Sequence, residues 1–107
     1  MATRPAILSG IGNTPLVELR RVVPPACARV LVKAESQNPT GSMKDRMALA
    51  VIEGAVAAGR LAPGGTVVEY TGGSTGTSLA FVCAAMGYPI TLVTSDAFSR
   101  EKRDHMR

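Results

Sequence analysis

The sequence predicts an α/β fold built on a parallel sheet, and three observations predict it. From Arg29 onward, short β-branched runs alternate with longer apolar runs, in the order strand, helix, strand, helix, strand, helix. The connections are a few residues long and are punctuated by glycine and proline. Hydrophobic residues make up 46% of the 107 and aromatic residues only 4%, so Val, Ile, Leu, Ala and Met must fill the core. Strands joined through helices in this way run parallel, with right-handed crossovers.

Each element has a local reason. Ile11-Gly12-Asn13-Thr14-Pro15 is a turn. Leu16–Leu19 alternates apolar and polar residues and reads as a short strand, closed by Val22-Val23-Pro24-Pro25. Arg29–Glu35 reads as a second strand with Val30 and Val32 on one face, and residues 36–41 form a polar loop. Ser42 is a good N-cap for a helix running to about Ala58. Met43, Met47, Val51 and Ala55 make one apolar stripe of that helix, and Ala48, Ile52 and Val56 the next. With Leu49 added, the pattern predicts a helix covered on most sides, with Met43 and Met47 in the core. Gly59 stops it. Pro63-Gly64-Gly65 is a turn, Thr66–Tyr70 a strand, and Thr71–Gly76 a glycine-rich link into a second helix over Thr77–Met86, which Gly87 ends. Pro89–Thr94 is another strand, and Ser99 caps a third helix.

Composition excludes several classes of function. The net charge is +4. Half of it lies in residues 99–107, where Arg100, Lys102, Arg103 and Arg107 are mixed with Glu101 and Asp104 and no aromatic interleaves them. That is a solvated helix face, not a nucleic-acid patch. The single histidine, His105, belongs to this face and rules against a His-containing metal cluster. Two cysteines do not make a disulfide framework; Cys83, in an apolar run, reads as a buried small hydrophobe. No signal peptide and no stretch of membrane-spanning length is visible, so a cytoplasmic protein without membrane association is expected.

Two segments carry chemistry. In Asn38-Pro39-Thr40-Gly41-Ser42-Met43-Lys44-Asp45-Arg46, a lysine stands at the start of an apolar helix. The positive end of a helix dipole disfavours an ammonium group there. A neutral lysine is a nucleophile able to form Schiff bases. On the dipole alone, a surface lysine snorkelling off the helix end is the plainer reading. Asp45 and Arg46 either orient Lys44 or form a surface pair, and Asn38 shapes the turn before Pro39. The second segment, Thr71-Gly72-Gly73-Ser74-Thr75-Gly76, joins a strand end to a helix N-terminus. Ligands of open α/β sheets bind beyond such strand ends, and free N–H groups there attract anions. A carboxylate or phosphate cradle is one reading, and a tight packing turn the other. The dinucleotide fingerprint is absent because Ser74 follows Gly73, and the P-loop pattern fails because Thr77 follows Gly76.

Together with Ile11-Gly12-Asn13-Thr14-Pro15-Leu16, these segments form a triple of motifs in order. The chain resembles the cysteine synthase (O-acetylserine sulfhydrylase) and cystathionine β-synthase family of pyridoxal-phosphate enzymes, of the tryptophan-synthase-β fold type. The resemblance runs from Ile11 to about Arg103 and includes Ser99-x-Glu101-x-Arg103. It implies the three-layer parallel-sheet unit of the fold-type II enzymes, left incomplete. It implies pyridoxal 5'-phosphate as cofactor, held covalently by Lys44, which later takes the α-proton of a small amino-acid substrate. Thr71, Gly72, Ser74 and Thr75 match the loop that grips the substrate's α-carboxylate. The usual loop reads Thr-Ser-Gly-Asn-Thr-Gly. Here Gly72 stands for its serine, and Ser74 for the asparagine that bonds the cofactor's ring hydroxyl. The implied reaction is β-replacement on an activated serine, in a dimeric parent enzyme. Serine or threonine dehydration, or another β-elimination, is the rival within the class, and a non-catalytic relic or binding module the rival outside it. The family's phosphate loop and pyridine-nitrogen partner are not found in residues 1–107, which are therefore expected to be the N-terminal segment of a longer catalytic domain, inactive alone.

Overall fold

The computed structural model describes residues 3–107. The chain opens with a 3-10 turn over Ala6–Gly10, whose Leu8 is buried. Strand β1 (Leu16–Leu19) pairs antiparallel with β2 (Val30–Lys33), Leu16 facing Lys33 and Leu19 facing Val30. A polar loop leads to helix α1 (Lys44–Ala57). Strand β3 (Val67–Tyr70), helix α2 (Ser74–Met86) and strand β4 (Ile90–Val93) form a βαβ unit in which β3 and β4 pair parallel, Val67 beside Ile90 and Tyr70 beside Val93. Helix α3 (Arg100–His105) follows, and Ser99 Oγ accepts from Lys102 N at its start.

The fold is mixed α/β, and the expected parallel sheet is realised only by β3 and β4. Strand β2 does not join them. Its neighbour is β1, in a separate two-stranded sheet. Alternation alone placed β2 in the parallel sheet because a helix follows it. No helix separates β1 from β2, however, and a connection of ten residues lets the chain double back into an antiparallel pair.

The core lies between α1 and α2, where Leu8, Ala48, Ile52, Leu79, Val82 and Cys83 are buried together. Val67 and Ile90 pack against it from the parallel strands. Both long helices end on glycines whose positive φ lets the chain reverse. Gly59 N bonds Val56 O and Arg60 N bonds Ala55 O; Gly87 N bonds Ala84 O and Tyr88 N bonds Cys83 O. These paired bonds satisfy carbonyls that the helix itself leaves open.

One expectation about coverage needs correcting. Helix α1 buries one face (Asp45, Ala48 and Ile52), whereas Met43 is 59% exposed and Val51 is exposed with it. The three-layer unit is incomplete, as expected: the described residues cover one face of the β3–β4 sheet. The other face of β3–β4, with Val68, Tyr70 and Val93, is open, and so are the side chains of β2. The radius of gyration, 16.9 Å, accordingly exceeds the roughly 13 Å of a closed domain of this length. Among the described residues no helix is long and apolar enough to cross a membrane.

Candidate active site

Lys44 is the first residue of α1 and is half-buried. Its backbone N–H donates to Ser42 Oγ at 3.1 Å, but the N-cap of α1 is Met43, which makes no side-chain capping bond, so the expected cap at Ser42 lies one residue outside the helix end. Among the described residues the Lys44 amine donates no hydrogen bond and joins no ion pair. It faces an open concavity of about 440 Å³, lined also by Lys33, Glu35, Met43, Arg46 and Met47.

Its two C-terminal neighbours are anchored in different directions. Asp45 is fully buried. Its Oδ2 accepts from Thr40 N at 2.9 Å, and its Oδ1 accepts from Ser78 Oγ at 2.6 Å and from the Thr40 hydroxyl. Arg46 donates through Nε and Nη2 to the two Glu35 oxygens, each at 2.9 Å. Thr14 Oγ1 donates to Glu35 at 2.6 Å and Asn38 Nδ2 at 2.7 Å. The Arg46 guanidinium above all, then the Thr14 hydroxyl, hold the Glu35 carboxyl down at about 2 against an opposing effect of burial; the same pair raises Arg46. Asn38 Oδ1 also accepts from Gly12 N at 2.8 Å, which ties the turn at Ile11–Pro15 to the loop before Lys44. Asn38 thus does shape that loop. The alternative of a surface pair at Asp45 and Arg46 fails for Asp45, which turns inward, away from Arg46's partner.

Thr71, Gly72, Ser74 and Thr75 come together at the carboxyl end of β3, where they line a second cavity of about 670 Å³. Helix α2 starts at Ser74, one turn earlier than the apolar run suggested. The buried Thr71 hydroxyl oxygen accepts from Gly73 N at 3.3 Å and Gly76 N at 3.1 Å, so it closes the turn from within. The backbone N–H groups of Ser74 and Thr75 have no hydrogen-bond partner among the described residues, and they sit at the positive end of α2. Gly72 leaves room for the Phe98 ring: a Cβ there would lie 2.3 Å from two ring carbons. The cavity also receives Thr77, whose buried Oγ1 is without a partner, and Ser99, Glu101, Lys102 and His105 of the α3 region.

The structure does not bring Lys44 and this loop into one cavity, for the two concavities share no lining residue. They are joined through the interior, by the Asp45–Ser78 hydrogen bond between α1 and α2. Sequence reasoning missed Ser78, Thr40 and the cavity-facing residues of α3. His105, read as part of a solvated face, is exposed but also borders the cavity. Cys83 is buried as expected, and burial pushes its thiol up.

An unpartnered amine on one helix start can condense with an aldehyde, and unpaired N–H donors on another can receive an anion, each from its own concavity. Comparison with known proteins agrees. Residues 7–107 match the family described as pyridoxal-phosphate dependent enzyme. The chain is 50% identical over 109 residues to a cysteine synthase of Staphylococcus aureus, an alignment covering 100% of the chain and 35% of that protein. It is 49% identical over 102 residues to O-ureido-L-serine synthase of Streptomyces lavendulae, covering 95% of the chain and 31% of that protein. The crystal structure of O-acetylserine sulfhydrylase isoform 3 from Entamoeba histolytica superposes with a TM-score of 0.86 at 41% identity, over 94% of the chain and 31% of the other. The chain spans about a third of the length of the relatives it matches. By its sequence and by its fold, the chain belongs to the family of pyridoxal-phosphate dependent enzymes.

Proposed function

We propose that this chain carries the cofactor lysine and the substrate loop of an enzyme that performs β-replacement on an activated serine, in the manner of a cysteine synthase. The observation that carries the reading is a free Lys44 amine at the start of α1, a helix bonded through Asp45 and Ser78 to α2, at whose start the N–H groups of Ser74 and Thr75 are unpaired among the described residues. The names of the relatives, cysteine synthase and O-ureido-L-serine synthase, support a serine-derived substrate.

In this reading Lys44 Nζ is the covalent attachment point of pyridoxal 5'-phosphate. Once released, it takes the proton from the substrate's Cα. The cofactor, when bound, supplies the electron sink for the resulting carbanion. Ser74 and Thr75 hold the α-carboxylate through backbone N–H and hydroxyl groups, where the dipole of α2 favours negative charge. Ser74 also holds the loop position whose side chain would bond the cofactor's ring hydroxyl, with a shorter reach than an asparagine. Gly72, whose missing side chain makes room for the Phe98 ring, offers the substrate only its backbone, and Thr71 keeps the turn in shape from beneath. Loss of the β-leaving group followed by addition of a sulfur nucleophile completes the exchange. The same reading takes the chain as an N-terminal portion of the catalytic domain of a cytoplasmic homodimer that acts on a small amino acid.

The departures at Gly72 and Ser74 keep β-elimination as the second reading. Product analysis separates the two: O-acetylserine with sulfide gives cysteine in the first case and pyruvate in the second. The reading as a whole is tested by adding pyridoxal phosphate and scanning absorbance. A visible band of the protonated imine, absent in Lys44→Ala, is expected. No band at millimolar cofactor in the unaltered protein would refute it.

A further inference from the structure

Asp45 calls for an explanation that the reaction does not provide. It follows Lys44 at a helix start, where carboxylates ordinarily meet water, yet its exposure is 0%. A buried carboxylate is costly unless its lone pairs are used. No cation pairs with it among the described residues; its partners are Thr40 N, Thr40 Oγ1 and Ser78 Oγ. Those partners are placed tellingly. Thr40 lies four residues before Lys44, in the loop that delivers the lysine. Ser78 lies four residues after Ser74, about one helical turn beyond the substrate loop and on the inner side of α2. One side chain therefore holds both the segment that carries the amine and the helix that carries the anion cradle.

We propose that Asp45 is a positioning residue, whose hydrogen bonds to Thr40 and Ser78 fix the start of α1, and with it Lys44, relative to the Thr71–Thr75 loop. The proposal rests on the reading of Lys44 as the cofactor lysine. It assigns the effect to geometry and not to negative charge beside the amine. Asparagine can preserve that geometry. Its carbonyl oxygen can accept from Thr40 N, while its amide donates to the Thr40 and Ser78 hydroxyls, which can turn to accept.

The test uses two reagents on the full protein. Pyridoxal phosphate, fixed with borohydride and located by peptide mapping, reads directed capture at Lys44. Formaldehyde with cyanoborohydride reads the plain accessibility of the same amine. Displacement by about 1 Å suffices to impair a directed reaction strongly, so Asp45→Ala is expected to lower cofactor capture at Lys44 about tenfold or more while methylation stays within about twofold. Asp45→Asn is expected to stay within about threefold of the unaltered protein, because it keeps the bonds. Should Asp45→Ala fail to fold, as shown by circular dichroism, Ser78→Ala serves instead. It leaves Asp45 bound to Thr40 and is expected to lower capture about threefold or more, with the fold intact. Unaltered capture in Asp45→Ala or, where that variant is unfolded, in folded Ser78→Ala overturns the proposal, as does an Asn variant as impaired as the Ala one. Absence of capture in the unaltered protein overturns the reading of Lys44 and the proposal together, which sets that failure apart from the others.

Discussion

Replacing Gly76 by alanine sets two effects of opposite sign against each other. Gly76 is buried in the first turn of α2. Alanine is favoured over glycine inside a helix by up to about 1 kcal/mol, so propensity alone predicts a more stable protein. The space around Gly76 predicts the reverse. A Cβ there would lie 2.4 Å from Thr71 Cγ2, 2.7 Å from Met106 Sδ and 3.4 Å from Leu92 Cδ1. Carbon atoms rest about 3.5–4.0 Å apart, so the threonine methyl must retreat by about 1 Å or more. Met106 is flexible and can yield. Thr71 cannot do so freely: it is β-branched, buried, and held by Gly73 N and Gly76 N through its hydroxyl oxygen. Overpacking of this kind costs about 1–3 kcal/mol, and a lost capping bond about 1 kcal/mol more. Sterics therefore prevail, and Gly76→Ala should destabilise by about 1–3 kcal/mol.

Urea unfolding followed by circular dichroism measures this as a lowered midpoint at unchanged slope. A second substitution isolates the cause. Thr71→Ser removes Cγ2 and keeps the capping oxygen. In that background Gly76→Ala should cost less than about 0.5 kcal/mol, a coupling of about 0.5 kcal/mol or more between neighbours. If Gly76→Ala proves neutral or stabilising, or if the two changes simply add, the contact between Thr71 and Gly76 does not govern this turn.

Two other outcomes follow from the ionisable groups. Glu35 titrates at about 2 in the folded protein, below its ordinary 4.5, because Arg46 and Thr14 bond its ionised form. Its stabilising effect is therefore complete above about pH 5 and is lost as the pH falls toward 2. Glu35→Gln should flatten the acid limb of a thermal-stability profile over that interval, and an unchanged limb would show that the network around Arg46 does not contribute. Cys27 is exposed while Cys83 is buried with its thiol pushed up. Iodoacetamide at pH 8 should therefore modify Cys27 alone until denaturant is added, since the thiolate is the reacting form; equal rates for both would refute the packing of α2 against α1.

What could be read from the sequence was chiefly local. The ends of both long helices depend on Gly59 and Gly87, whose backbone chemistry needs no distant partner. Leu16–Leu19 was placed to the residue, and the link from β3 into α2 to within a turn. The pairing of β2 was not legible, because the alternation of Val30 and Val32 suits a parallel or an antiparallel neighbour equally. Nor was the exposure of Met43 and Val51, since an apolar stripe states what a helix could bury and not what is present to cover it.

The Asp45–Ser78 pair is a different case, for the sequence carries a clue to it. The buried face of α1 runs Asp45, Ala48, Ile52, at spacings of three and four, so the aspartate continues the apolar stripe instead of facing away from it. On α2 the inner face runs Ser78, Leu79, Val82, with the serine again on the apolar side. A polar group on an inner stripe must find a partner or carry the full penalty of desolvation. Two such groups, each near the N-terminal end of one of two helices that pack together, can satisfy each other. Read in this way, a carboxylate on the wrong side of a helix points to the contact that joins the helix of Lys44 to the helix that follows the Thr71–Thr75 loop.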